Sequence, residues 1–339
     1  MTHPSVVVGL DFGGTKTAVA VCDPTGRRLA HGVTDSMGEQ GARATFSQAV
    51  QAARALLGQA APDANVAAVG VSTFGIPLED RVELAPAVPG WDRLALGAEV
   101  RAAFPGARVA VATDTKAAGQ AEARWGALAG CDPAVYVNLG TGLAAAVISG
   151  GQVLAGRNLA AGEIGYNLRG LRDVGVPSER RVVLEDAVSG TGLRRRASEP
   201  GADGRTITAA EVFARAAAGE PAMAGLVSDF LDELAFHIVN LAIAVDPARV
   251  AVGGGLTRSW DLLQPRLAQA LRAGVPYPPE LARAAFPDDA PLLGAVALAL
   301  DAVGEAGRTS PPAGWPHDRG DHDQPAAVRA MTLATGEQS

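Results

Sequence analysis

Val6-Val-Val-Gly-Leu10-Asp11-Phe12-Gly13-Gly14-Thr15-Lys16 opens the first readable pattern of the chain, and a second version stands at Val135-Tyr-Val-Asn138-Leu139-Gly140-Thr141-Gly142. In both, an apolar run of the kind that forms a strand covered on two faces is cut by glycine and threonine. The apolar character then resumes, at Thr17–Val21 in the first and Leu143–Ile148 in the second. Turn residues follow, Asp23-Pro24-Thr25-Gly26 before a strand at Arg27–Val33 and Gly150-Gly151 before Gln152–Leu154. A duplicated strand, glycine turn, strand, turn, strand unit predicts two similar lobes facing each other. Two unrelated hairpins are the competing reading.

Working outward, Phe46, Val50, Ala53 and Leu57 recur at helical spacing within Ala42–Ala60. A strand is expected at Val66–Ser72, then a Pro/Gly-rich stretch over Gly75–Trp91, a helix near Leu94–Phe104, a strand at Val109–Ala112 and a helix over Thr115–Leu128. The second half reads as helices at Val182–Arg196, Ala209–Ala218 and Ala222–Val245. A short strand, Val250–Val252, runs into Gly253-Gly254-Gly255, and helices at Trp260–Arg272 and Leu293–Val303 close the fold. From Gly304 periodicity stops, so 305–339 is expected to be a disordered tail. Its His317, Asp318, Asp321, His322 and Asp323 read as a solvated run in preference to a chelating one.

The chain has 339 residues, 48% apolar and 19% charged, enough for about two domains. A net charge of −7 gives no basic footprint for nucleic acid or an anionic membrane. Two cysteines, Cys22 and Cys131, exclude a disulfide scaffold and a four-cysteine zinc site. With no apolar run of membrane-spanning length and no signal-peptide pattern, a cytoplasmic protein is expected. Among the 29 basic residues only two, Lys16 and Lys116, are lysine.

The chemistry concentrates in three glycine turns, each directly after an apolar strand. Glycine lets backbone N–H groups approach an anion closely because no Cβ intervenes, and the threonine hydroxyls add donors. Gly13–Thr15 and Gly140–Gly142 on facing lobes could clamp a polyphosphate, with Gly253–Gly255 flat against a nucleoside. No Walker P-loop is present. Gly140-Thr-Gly142-Leu-Ala-Ala145 matches a dinucleotide fingerprint in letters, yet Ser149-Gly150-Gly151 cuts off the helix that motif must open, which argues against a dehydrogenase. Asp114, between a strand and a helix, is the catalytic candidate; spacing alone leaves it open between a reactive carboxylate and an ordinary helix cap at Thr113 or Asp114.

Taken together, Asp11-Phe-Gly-Gly-Thr-Lys16, Gly140-Thr-Gly142, Ala161-Gly-Glu-Ile-Gly165 and Val252-Gly-Gly-Gly-Leu256 resemble, in order and separation, the motif series of the ROK family of repressors and sugar kinases. The resemblance covers about Val6–Val303. It implies a bilobal α/β fold of the actin-like, hexokinase type (ribonuclease H-like) with a duplicated lobe and an interlobe cleft. The expected division is 1–112 plus 292–304 for a small lobe and 113–291 for a large one. It also implies ATP and Mg²⁺ in the cleft, a sugar beside them, and a homodimer or homotetramer.

Position by position, Asp114 matches the family's general base, and Asp11 a residue that orients Mg²⁺ through water. Gly13, Gly14, Thr15, Lys16, Gly140, Thr141 and Gly142 match phosphate contacts, and Gly253, Gly254 and Gly255 the nucleoside side. Gly75, Thr113, Glu163, Tyr166 and Glu185 fall at substrate positions.

Departures are specific. Tyr166 stands where the family has a histidine that binds zinc and sugar, and Arg172–Leu184 lacks the cysteines of the zinc loop. No structural zinc is expected; packing or arginine pairs should hold the loop instead. Thr113 and Ala87 each replace an asparagine. Changed substrate contacts beside retained phosphate motifs imply an ATP-dependent kinase acting on a primary hydroxyl of a hexose or hexose-like compound, with an amino sugar or a cyclitol as alternatives to plain glucose. A non-catalytic sugar-binding regulator is the reading from another class; the short stretch before Asp11 and the acidic charge argue against a DNA-binding repressor. Lys16 belongs to the first phosphate motif, whereas Lys116, usually Asn, is read as a helix-surface residue in preference to a compact cation close to phosphate.

Overall fold

The computed structural model describes residues 4–36, 40–198, 207–304 and 315. In chain order the strands and helices are β1 (Ser5–Phe12), β2 (Lys16–Cys22), β3 (Arg28–Asp35), α1 (Ala42–Ala60), β4 (Asn65–Thr73), β5 (Ile76–Pro77), β6 (Val82–Glu83), α2 (Leu96–Ala103), β7 (Arg108–Thr113) and α3 (Asp114–Trp125). There follow β8 (Ala134–Leu139), β9 (Leu143–Ser149), β10 (Gln152–Val153), α4 (Leu184–Ala187), α5 (Gly190–Ala197), α6 (Ala209–Ala217) and α7 (Pro221–Val245). The last are β11 (Arg249–Gly253), α8 (Trp260–Gly274), β12 (Glu280–Arg283) and α9 (Ala290–Ala302).

Two five-stranded sheets share one topology, β3-β2-β1-β4-β7 and β10-β9-β8-β11-β12. In each, an antiparallel three-stranded meander is extended by two parallel strands from its first strand. The repeat visible in the opening motifs thus runs through five strands. Asp11 pairs in register with Ala18 and Ser72, and Asn138 with Ala144 and Gly253, so the two occupy equivalent places before their glycine turns. β1 reads as an unbroken apolar run because it is central, with Val6, Val7, Val8 and Leu10 all buried.

Helices α3 and α9 lie between the sheets. α9 packs on α3, β1, β4 and β7, while α3 packs on β8 and β9, and one buried cluster joins residues of both sheets to these helices. The crossing needs glycine at two points of close approach: a Cβ on Gly70 of β4 would overlap the Ala295 carbonyl oxygen, and one on Gly294 of α9 that of Ala117. α9 is apolar on every side because every side is covered. No helix among the described residues is long and apolar enough to cross a membrane.

Two expectations change, and one strand was not foreseen. The single helix expected over Val182–Arg196 is α4 and α5, broken at Val188-Ser189, where Ser189 Oγ accepts the Gly192 N–H at 3.0 Å and caps α5. The break lets Gly190 N–H reach the carbonyl of Gly140 at 2.8 Å. Strand β12, in a proline-rich stretch, has no sequence periodicity of its own and forms by parallel pairing to β11. Within the expected tail, Trp315 is buried, its Nε1 donating to the Gly26 carbonyl at 3.4 Å with the Arg28 guanidinium over its ring. The rest of that tail, with its His and Asp residues, lies outside the described residues.

Candidate active site

A cleft of about 400 Å³ runs between the sheets. Asp114 enters it because β7 ends at Thr113 and α3 begins at once. Thr113 is the cap, its Oγ1 accepting the Lys116 N–H at 3.3 Å, so Asp114 stands free of that duty at the first helical position. Thr115 donates to Asp114 Oδ1 from its backbone at 2.5 Å and from its hydroxyl at 3.1 Å, and Oδ2 takes part in neither bond. Burial pushes the Asp114 carboxyl above the ordinary aspartate range, against the Thr115 bonds and the Lys116 charge, which lower it.

The second and third glycine turns meet opposite Asp114. Gly140, Thr141, Gly142, Gly254 and Gly255 all line the cleft. Gly254, at φ 88°, lies so close to Leu139 and Asn138 that a Cβ would come within 2.6 Å of both. Gly255 is open, with nothing within 4 Å of a Cβ position. Gly253 is not part of the wall: it packs against the Tyr136 ring. The first turn, Gly13, Gly14, Thr15 and Lys16, is also set back from the cleft lining, closed by Gly13 N–H to Lys16 O at 2.9 Å and with Gly14, Thr15 and Lys16 exposed.

Asp11 sits at the end of β1 and accepts the Ser72 hydroxyl at 2.6 Å. Burial, with Asp114 and Asp289 as like charges, pushes it up to about 7 despite the Ser72 bond. The Asp11 carboxylate offers only oxygen in a cluster of negative groups, which suits a small hard cation, so Asp11 fits Mg²⁺. Among the described residues no group of three His, Cys, Asp or Glu side chains is placed to hold a metal ion.

Gly75, Thr113, Glu163, Tyr166 and Glu185 also line the cleft. Glu185 Oε2 accepts the Leu143 N–H at 2.8 Å. Burial raises the Glu163 carboxyl, with Lys116 opposing and Asp114 and Glu185 adding to the rise. Tyr166, 41% exposed, follows Gly165 in a short 3₁₀ turn. Arginines hold its loop: Arg181 donates to the Tyr166 carbonyl at 2.6 Å and that of Asn167 at 3.1 Å, and Arg169 pairs with Glu233. Phe74, Ile76, Leu84 and Asn138 line the cleft as well; of these Asn138 was traceable, since it stands opposite Asp11 in the repeat.

Lys116 overturns its surface reading. It is 6% exposed, packed behind the cleft wall, with Nζ 3.7 Å from Glu163 Oε1. Helix α3 is covered on both sides, so its third residue has no solvent face.

The ROK family model matches residues 7–302. The kanosamine kinase of Amycolatopsis mediterranei (strain S699) is 31% identical over 310 residues, covering 88% of this chain and 97% of the relative. The crystal structure of the ROK hexokinase from Thermus thermophilus is similar at TM-score 0.74 and 30% identity, over 88% of this chain and 99% of the other. The ROK family glucokinase from Streptomyces griseus, solved in complex with glucose and AMPPNP, is similar at TM-score 0.67 and 27% identity, over 86% and 98%.

Proposed function

The chain belongs to the ROK family, and from that premise we propose that it is an ATP-dependent sugar kinase that phosphorylates a primary hydroxyl of a hexose or hexose-like substrate. The observation that carries the proposal is the single cleft in which Asp114 faces the Gly140–Gly142 turn and the carboxylates of Glu163 and Glu185.

Asp114 Oδ2 takes the proton of the substrate hydroxyl as that oxygen bonds to the γ-phosphorus of ATP. The bond from that phosphorus to the β–γ bridging oxygen breaks, and ADP leaves. Little covalent work falls to the protein in such a transfer; positioning and charge neutralisation do most of it. The backbone N–H groups of Gly140–Gly142 cradle phosphate, Gly254 and Gly255 give the nucleoside a flat approach, and Gly13–Lys16 serves from the facing lobe. Asp11 would hold Mg²⁺ through water, and the ion would supply positive charge against the phosphates. Glu163, Glu185 and Tyr166 orient the substrate.

An amino sugar is the substrate that the charge of the cleft favours. Asp114, Glu163 and Glu185 line it, and among the described residues no lysine or arginine does. A protonated amine is stabilised there, and the similarity to a kanosamine kinase agrees. The test is a panel of hexoses, free and acetylated amino sugars and cyclitols assayed for ATP-dependent phosphorylation. Preference for a free amino sugar is expected; clear preference for glucose would overturn the amino-sugar reading, and turnover of no member would overturn the kinase reading in favour of a non-catalytic binder.

A further inference from the structure

We propose that Lys116 is a positioning residue of the substrate subsite, whose ammonium holds the Glu163 carboxylate aimed into the cleft as an acceptor for a substrate hydroxyl. The proposal rests on the sugar-kinase reading of the cleft.

The geometry singles out this side chain. Lys116 is 93% buried, and among the described residues its Nζ makes no hydrogen bond and has Glu163 Oε1, at 3.7 Å, as its ion-pair partner. That is an ion pair with N–H donors left over. A buried ammonium so placed is costly unless the surrounding anions need it. Here they do: Asp114 stands on the same helix, Glu163 opposite, and both interact with Glu185 on α4, while Asp11 on β1 faces Asp114.

The other side of Lys116 brings no charge. A cavity of about 160 Å³ there is lined by Pro77, Val111, Gln120, Leu159 and Leu298. The ammonium therefore acts on the cleft from behind, through its ion pair with Glu163, while Glu185 is held by the Leu143 backbone N–H. Burial lowers the Lys116 ammonium, and the charges of Glu163 and Asp114 oppose that lowering.

Lys116→Met removes the charge and keeps the length. The best sugar of the panel should then show a KM raised about tenfold, with the KM for ATP unchanged. The acid limb of kcat/KM should move to higher pH, because the lost cation had lowered Glu163 and Asp114. Lys116→Arg, for which the cavity leaves room, should restore both; a purely structural role would leave the pH profile in place. Glu163→Gln should raise the sugar KM similarly, and adding it to Lys116→Met should raise it little further. Sugar-induced stabilisation reads the same contrast without turnover, with the wild type shifted in Tm by saturating sugar and Lys116→Met shifted far less. A wild-type KM, pH limb and Tm shift in Lys116→Met overturn the proposal, as does failure of a stably folded Lys116→Arg to restore them.

Discussion

Glu185 accepts the backbone N–H of Leu143 at 2.8 Å and thereby fastens the Gly140–Gly142 turn to the wall of the substrate cleft. The next helix reinforces the tie, since Gly190 N–H donates to the Gly140 carbonyl at 2.8 Å and Thr191 N–H to that of Thr141 at 3.4 Å. The turn proposed for phosphate and the carboxylate proposed for the sugar are thus one mechanical unit. Displacing either moves the other, which gives transfer a geometry in which acceptor and donor are positioned together.

Gly142→Ala tests that unit. A Cβ at Gly142 would overlap Glu185 Oε2, and the nearest atoms all belong to that side chain. The far end of a glutamate swings aside at little energetic cost, so the fold should survive with Tm within about 2 °C of wild type. The carboxylate, however, leaves both Leu143 and the substrate. The sugar KM should rise about tenfold or more, measured by steady-state kinetics against sugar at saturating ATP. A variant with wild-type sugar KM would separate Glu185 from substrate binding.

Asp114→Asn keeps the shape of the side chain and removes its basicity. With Thr113 as the helix cap, the fold does not depend on the Asp114 charge. Turnover should fall by about 10²–10⁴-fold, the usual contribution of a positioned base. Nucleotide affinity, followed by equilibrium titration with ATP, should stay near wild type. Retention of more than a small fraction of kcat would remove Asp114 from the role of base.

The pH profile follows from the same residue. Burial raises the Asp114 carboxyl, and a general base works only when deprotonated. Activity should therefore be low at acid pH and rise as pH climbs through that raised value. The acid limb of kcat/KM should lie above about 4, where an unperturbed aspartate titrates. A limb at the unperturbed position would mean that Asp114 is solvated in the working enzyme.

Much of the architecture was legible in the sequence because strand burial and glycine turns leave local marks. The motif at Asp11–Lys16 and its echo at Asn138–Gly142 predicted facing sheets, and α1 begins and ends where its apolar spacing says. Lys116 was not legible. Its burial comes from α9 and the second sheet closing over α3, contacts between segments far apart in sequence. The break between α4 and α5 was hidden for a similar reason, since Gly190 is drawn to Gly140, fifty positions away. Packing or arginine pairs were expected to hold the loop in place of zinc, but the partner was not legible: only the folded loop shows Arg181 holding the carbonyls of Tyr166 and Asn167.

Glu122 is the strongest expected determinant of stability outside the cleft. Fully buried near the end of α3, it accepts N–H groups from Ala127 at 2.7 Å, Ala285 at 3.1 Å and Phe286 at 2.9 Å. The last two lie just after β12, so one carboxylate pins the segment leading into α9 against α3. Glu122→Ala leaves three part-buried or buried N–H donors without their acceptor, a loss of about 3 kcal/mol. Tm should fall by roughly 6–10 °C, as differential scanning calorimetry would show. Glu122→Gln keeps one acceptor oxygen but turns an NH₂ toward the other donors, so its loss should be intermediate. Eight residues of helix put Glu122 about 12 Å from Asp114, so kcat and both KM values should hold at temperatures well below the new Tm. Collapse of kcat with an unchanged Tm would show that this carboxylate serves the chemistry instead of the fold.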